Sequence, residues 1–314
     1  MEALKKALVV LVALAILAVA AFFLLTDTRL QRTATEAPPG GEADLANGER
    51  VFVAANCASC HATPNQDDPR LLGGGRELTT GFGTFVAPNI SPSRDGIFGW
   101  TTAQFVRAMR AGVSPDGRHY YPAFPYTSYQ RMRPEDARDL HAYLITLPEA
   151  EGRAPDHDLA FPFSIRRGIG LWKWLALDGK TFDEAWTPPP GADEELAAGA
   201  YLVQALAHCA ECHSPRNALG MIVEAQRYAG GPNPDGRGFV PNITPHETGI
   251  GGWTRAEIVE VLTSGFTPDF DVIGGHMALV VDNTSQLSDA DRQAIAAYLM
   301  SLEPRPESAR NPSP

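Results

Sequence analysis

The sequence predicts an all-α protein in which two tandem domains of one kind follow an N-terminal transmembrane helix. Three observations predict it. An uninterrupted apolar run of 19 residues occupies 7–25. Beyond it the chain repeats: APNISPSRDGIFGWTTAQFVRAMRAG (87–112) matches VPNITPHETGIGGWTRAEIVEVLTSG (240–265) at a constant offset of 153. The apolar residues of both copies recur at helical spacing, and no run reads as a strand core. A repeat this long means two tandem domains rather than a solenoid. The length of 314 residues, 44% of them hydrophobic, suits two domains of ordinary size.

Lys5 and Lys6 precede the apolar run. At about 1.5 Å per residue it nearly spans the ~30 Å hydrocarbon core of a bilayer. Ala18-Val19-Ala20 offers a signal-peptide cleavage pattern, but five more apolar residues follow it. The run also exceeds the roughly 7–15 residues of a signal core. The expectation is therefore an uncleaved anchor over 1–25, lysines inside, with the chain after Thr26 outside the cytoplasm. Residues 26–42, rich in Thr, Pro, Gly and Glu, read as a flexible tether.

The first domain is expected over 43–150 and the second over 193–304, joined by a connection at 151–192 and ending in a tail at 305–314. Each opens with a helix leading into a C-x-x-C-H motif, CASCH (57–61) or CAECH (209–213). A long Gly-rich excursion and a PNI(S/T)P turn come next. A helix then begins at Thr101 or Thr254, with Phe105 and Met109, or Ile258 and Leu262, on one face. After a variable loop, the last helix starts near Pro134 or Ser288. Proline suits a first helical position, and Ser288 with Asp291 resembles a capping box. RPEDARDLHAYLITL (133–147) and SDADRQAIAAYLMSL (288–302) are its two copies.

The net charge of −11 argues against nucleic-acid binding, which needs clustered Lys and Arg. The charge is uneven: residues 191–314 carry 16 Asp/Glu against 7 Lys/Arg. Such a half could steer a basic partner or simply be a solvated acidic face.

Cys57, Cys60, Cys209 and Cys212 are the only cysteines, and all four fall in the C-x-x-C-H motifs. That motif is the attachment signature of c-type haem. Two thiols one helical turn apart add to the haem vinyl groups, and the adjacent histidine faces the iron. Four cysteines are too few for a disulfide scaffold in so long a chain. A zinc site would leave both trailing histidines unexplained, and no strand–helix unit supports a thioredoxin-like motif. The cofactors expected are two covalently bound haem c groups. Cys57, Cys60 and His61 would hold the first, and Cys209, Cys212 and His213 the second.

With these motifs the chain resembles the class I cytochromes c, in particular the membrane-associated cytochrome c subunits of bacterial alcohol and aldehyde dehydrogenases. The resemblance covers 43–304. It is carried by GAYLVQALAHCAECHSPRN (199–217), the PNITP–GIGGW stretch, FPFSIRR (161–167) and YPAFPYTSY (121–129). It implies helical haem domains, periplasmic exposure and electron transfer. Members of that family commonly carry three haems, whereas this chain has two motifs and an apolar helix of its own.

Other residues are candidates for shaping the haem sites. The Pro88 and Pro241 turns could orient the two motif histidines, or be plain turns. Trp100 and Trp253 could line haem or fill the core, and Arg216 could meet a propionate or solvent. The sixth ligand distinguishes the halves. Methionine usually arrives from the loop before the last helix and raises the potential. Met277 stands there in the second half. At offset 153 its counterpart is Phe124, which has no lone pair for iron. Met132, His119, Met109 or no strong ligand at all remain open for the first haem. His141, His157, His208, His246 and His276 have no shared spacing.

The function expected is electron transfer by a membrane-anchored dihaem cytochrome. The donor would be a periplasmic dehydrogenase or a quinol-oxidising complex, and the acceptor a terminal oxidase or soluble cytochrome. The alternative is a dihaem enzyme, a peroxidase or sulfur-compound oxidoreductase, working through an open first haem. A haem-based sensor would need an output domain that the sequence does not offer.

Overall fold

A computed structural model describes residues 1–31 and 40–308 of the chain. Residues 32–39 of the expected tether and residues 309–314 of the expected tail lie outside the described residues. Helix α1 (Glu2–Leu25) has no buried residue and is long and apolar enough to cross a membrane.

In the first repeat, α2 (Leu45–Ala54) starts at Asp44, whose carboxylate accepts the amides of Ala46 and Asn47. Helix α3 (Cys57–His61) is the first motif itself. Strands β1 (Glu77–Thr80) and β2 (Gly83–Val86) pair as a hairpin. Helix α4 (Thr102–Ala111) follows, then the single turn α5 (Tyr126–Tyr129) and α6 (Pro134–Ile145). The connection adds a two-residue strand, β3 (Asp158–Leu159), to the edge of β2. It continues as α7 (Ile169–Ala176) and α8 (Phe182–Ala185). In the second repeat, α9 (Glu194–Tyr201) runs into a π turn at Leu202–Leu206. Strands β4 (Gly231–Pro232) and β5 (Phe239–Val240) pair next. Helices α10 (Arg255–Ser264), α11 (Gly275–Thr284) and α12 (Asp289–Ser301) complete it. The architecture is helical as expected. The short strands, in ELTTGFGTFV and around a Gly-rich loop, are too glycine-laden to read as strand cores.

The repeat is visible as repeated physics. Thr101 and Thr254 each close a full capping box, with Gln104 and Glu257. The helices both end on a left-handed glycine, Gly112 or Gly265. Isolated bridges Val113–His119 and Phe266–Val272 keep the offset of 153 through the following loops. In each repeat the first helix crosses the last at a glycine. A Cβ at Gly48 would lie 2.2 Å from the Asp139 carbonyl oxygen, and one at Gly199 would lie 1.9 Å from that of Ala294. From Gly199 to Cys209 is one residue longer than from Gly48 to Cys57. The π turn takes up that insertion, so both helices still deliver their motif to the same place.

The two repeats share one continuous apolar core, from Val51, Phe105 and Leu140 to Leu206, Ile258 and Ile295. Arg50 on α2 donates to both oxygens of Asp291 on α12 at 2.6–3.2 Å. The Ser288 hydroxyl caps α12, but the carboxylate of Asp291 is turned to Arg50, so the expected box is half made. Residues 26–31 are not a free tether. Thr26 and Gln31 are buried, and Gln31 Nε2 donates to Leu25 O at 3.0 Å. The start of the tail is also docked: the Ser308 amide and hydroxyl reach Ala229 O and Gly230 O.

Candidate functional site

Each C-x-x-C-H motif is launched by a residue with left-handed backbone, Asn56 (φ 54°) or His208 (φ 43°). Asparagine and histidine are among the side chains found most often in this conformation. The Ala55 carbonyl beside the first turn is held by the Tyr129 hydroxyl at 3.1 Å and by His208 Nε2 at 3.4 Å. The motif then forms an α turn in the first repeat and a 3-10 turn over Cys209–Glu211 in the second.

Cys57 and Cys209 pack against the shared apolar core. His61 Nδ1 lies 2.8 Å from Pro88 O, and His213 Nδ1 lies 2.8 Å from Pro241 O. A carbonyl only accepts, so Nδ1 carries the proton and Nε2 presents its lone pair. Burial lowers the pKa of both rings, which keeps them neutral.

The proline turns are built for this. Asn89 Oδ1 accepts the Ser91 amide at 2.8 Å, and Asn242 Oδ1 accepts the Thr244 amide at 2.8 Å. Their Nδ2 groups tie the turns to Ala150 O and Arg305 O, just past each last helix. On the other side, Gly74 and Gly230 (φ +71° and +76°) donate their amides to His61 O and His213 O. A Cβ at Gly74 would lie 2.4 Å from Ala87 O, so only glycine fits between histidine and turn. Nothing in the spacing pointed to these two glycines, because the loops before them differ in length.

Other candidates fall elsewhere. Arg216 donates to the Glu211 carboxylate at 2.6 Å. Trp100 and Trp253 are half-buried against the core. His119 is buried at the end of α1, where Nε2 donates to Thr26 O at 2.9 Å; burial lowers its pKa to about 4. His141 stacks on Phe105, His157 Nδ1 accepts the Val86 amide, and His276 is an exposed partner of Asp235. Met277 lies in the first turn of α11, half-buried, rather than in a loop. Phe124 is enclosed by the rings of Tyr120, Tyr126 and Tyr129. Met132 is fully buried in the core against which Cys57 packs, and Met109 is buried on α4.

A crossed arrangement joins the sites. Glu211, inside the second motif, accepts Thr127 and Ser128 hydroxyls at 2.5 and 3.0 Å from the α5 loop of the first repeat. Ser59, inside the first motif, donates to Leu279 O at 3.1 Å and accepts from Asn283 Nδ2 at 3.0 Å, both on α11 of the second. Each motif is thus braced by the other repeat's segment that carries Phe124 or Met277.

The residues present fit covalent haem. Paired thiols on one turn adjoin a histidine with a fixed tautomer and a glycine that clears its cradle. Among the described residues, no cluster of His, Cys, Asp or Glu is arranged to hold a bare metal ion as a zinc site would.

Comparison with known proteins agrees with this geometry. The Cytochrome c family matches residues 45–148, and the family described as cytochrome C oxidase, cbb3-type, subunit III matches 194–299. A protein named diheme cytochrome c-type from Cereibacter sphaeroides is 51% identical over 87% of this chain and 90% of its own length. The fructose dehydrogenase cytochrome subunit of Gluconobacter japonicus is 35% identical over 91% of this chain. The cytochrome c subunit of a quinone alcohol dehydrogenase from Gluconacetobacter polyoxogenes is 35% identical over 93% of it. The chain spans 59% and 62% of the length of these last two. With two cytochrome c domains, two covalently bound haem c groups and an electron-transfer function, the chain belongs to the dihaem c-type cytochromes.

Proposed function

We propose that this protein is anchored in the bacterial inner membrane by α1 and relays electrons on the periplasmic side. The donor is a periplasmic dehydrogenase or a quinol-oxidising complex, and the acceptor a terminal oxidase or soluble cytochrome. The relatives named as dehydrogenase subunits support a dehydrogenase donor. The domains run 43–150 and 193–304. Cys57, Cys60 and His61 would hold haem 1, with Met132 as the candidate further ligand; Cys209, Cys212 and His213 would hold haem 2, with Met277 as its candidate. When bound, the haems supply one-electron redox chemistry. The chain's own residues hold the histidine tautomers through Pro88 and Pro241, and the shared core packs against Cys57 and Cys209.

The observation that carries this reading is the crossed bracing of the two motifs over one shared core. It makes the two sites one rigid unit, as a relay requires, rather than two independent modules. Rapid mixing of the fully reduced protein with peroxide or carbon monoxide tests it. A relay oxidises slowly with peroxide, without turnover, and binds little carbon monoxide. Fast ligand binding at one haem with multiple peroxide turnovers would instead establish the dihaem-enzyme alternative.

A further inference from the structure

A cavity of about 690 Å³ opens where α1 meets the first repeat, and five arginines line it: Arg29, Arg107, Arg118, Arg166 and Arg167. Two carboxylates share it, Asp27 and Asp116. Arg118 is paired with Asp116 at 2.7 Å. Among the described residues, the other four guanidiniums meet no carboxylate side chain in an ion pair. Arg107 donates to the Thr28 hydroxyl, Arg166 to His119 O, and Arg167 to Phe23 O and the Thr26 hydroxyl. Like charges gathered in one concavity repel unless a counter-charge joins them.

The cavity has a defined level. Its wall begins at Thr26, one residue past the end of α1. Arg167 lies over the Phe23 ring at 4.7 Å, and Trp174 Nε1 donates to Leu25 O at 2.7 Å. Beside it, the segment leading into and along α7 exposes Ile165, Leu171 and Leu175, the last at 68%. Lys173 pins α7 in place by donating to Ala111 O and Gly112 O at 2.7 Å. A tryptophan, an apolar rim and a basic hollow at the end of a spanning helix are the features of a surface at the headgroup layer. Guanidinium groups match phosphate oxygens in two-point geometry, and the volume suits a small ligand.

We propose that this cavity binds the phosphate headgroup of an anionic phospholipid of the outer leaflet, with the apolar rim of α7 resting on the acyl boundary. The inference rests on the reading of α1 as an uncleaved anchor. The full-length holoprotein is placed in nanodiscs of phosphatidylcholine with added phosphatidylglycerol, and retained lipid is measured by native mass spectrometry. Wild type should retain phosphatidylglycerol preferentially, and Arg29→Gln/Arg107→Gln should lower that preference about tenfold. An Arg237→Gln control in the second repeat should not. Equal lipid ratios in wild type and the double variant would overturn the inference while leaving the anchor intact. Stabilisation by inorganic phosphate without phosphatidylglycerol retention would overturn the lipid as ligand. An intact mass showing a chain that begins beyond Ala20 would overturn the anchor and the inference together.

Discussion

Glu211 sits between the cysteines of the second motif, yet its carboxylate serves the first repeat. Burial opposes its charge, but Arg216 and the Thr127 hydroxyl outweigh that cost and hold its pKa below the usual range. Removing it strands a half-buried guanidinium and two hydroxyls. Glu211→Ala should lower unfolding stability by about 3 kcal/mol, read by denaturant titration of the holoprotein. Hydrogen exchange should rise around 125–132, in the other repeat. At this scale the C-x-x-C-H motifs, the histidine–proline pairing and the recurring turn residues were legible in the sequence. The role of Glu211 was not, because its partners are 83 and 84 residues away and no periodicity connects them. His119 is a candidate iron ligand from sequence because histidines bind iron; its bond to Thr26 depends on where α1 docks, which spacing does not express.

Helices were legible where one face is apolar and the ends are capped. α4, α10 and α12 start where threonine or serine signals predicted. Legibility failed where a segment's shape depends on its neighbour. Met277 was expected in a loop, but α11 forms because it packs on the CASCH turn and α10, a tertiary effect overriding a glycine-led start. The lock between α2 and α12 is likewise tertiary. Burial works against ionisation of Asp291, but the hydrogen bonds and charge of Arg50, with Ser288, lower its pKa overall. A depressed carboxylate binds protons less readily folded than unfolded. Its contribution is therefore present above the unfolded value of about 3.9 and lost as pH falls through the folded one. Denaturant unfolding of wild type and Asp291→Asn should show a stability gap at neutral pH that closes in strong acid. A gap that persists unchanged at the lowest pH would refute this role.

The duplication was readable at the level of the whole molecule, and so was the presence of two cofactor sites. What the repeat concealed is that the copies are interlocked, sharing a core and bracing each other's motif. Tandem order along the chain suggests beads on a string, and only the packing shows a single body. The two repeats are unlike at corresponding positions: Met277 stands on a ten-residue helix, whereas Phe124 is half-buried against three tyrosine rings, with Met132 fully buried eight residues on. That inequality is the central claim, and axial ligation tests it most directly. The ferric holoprotein is compared with Met277→Ala and Met132→Ala by its long-wavelength methionine–iron charge-transfer band and by electron paramagnetic resonance. Each variant should remove one low-spin methionine-ligated signal and leave the other, with two distinct midpoint potentials in the wild type. Spectra unchanged by Met277→Ala, or two haems with one spectrum and one potential, would contradict the account.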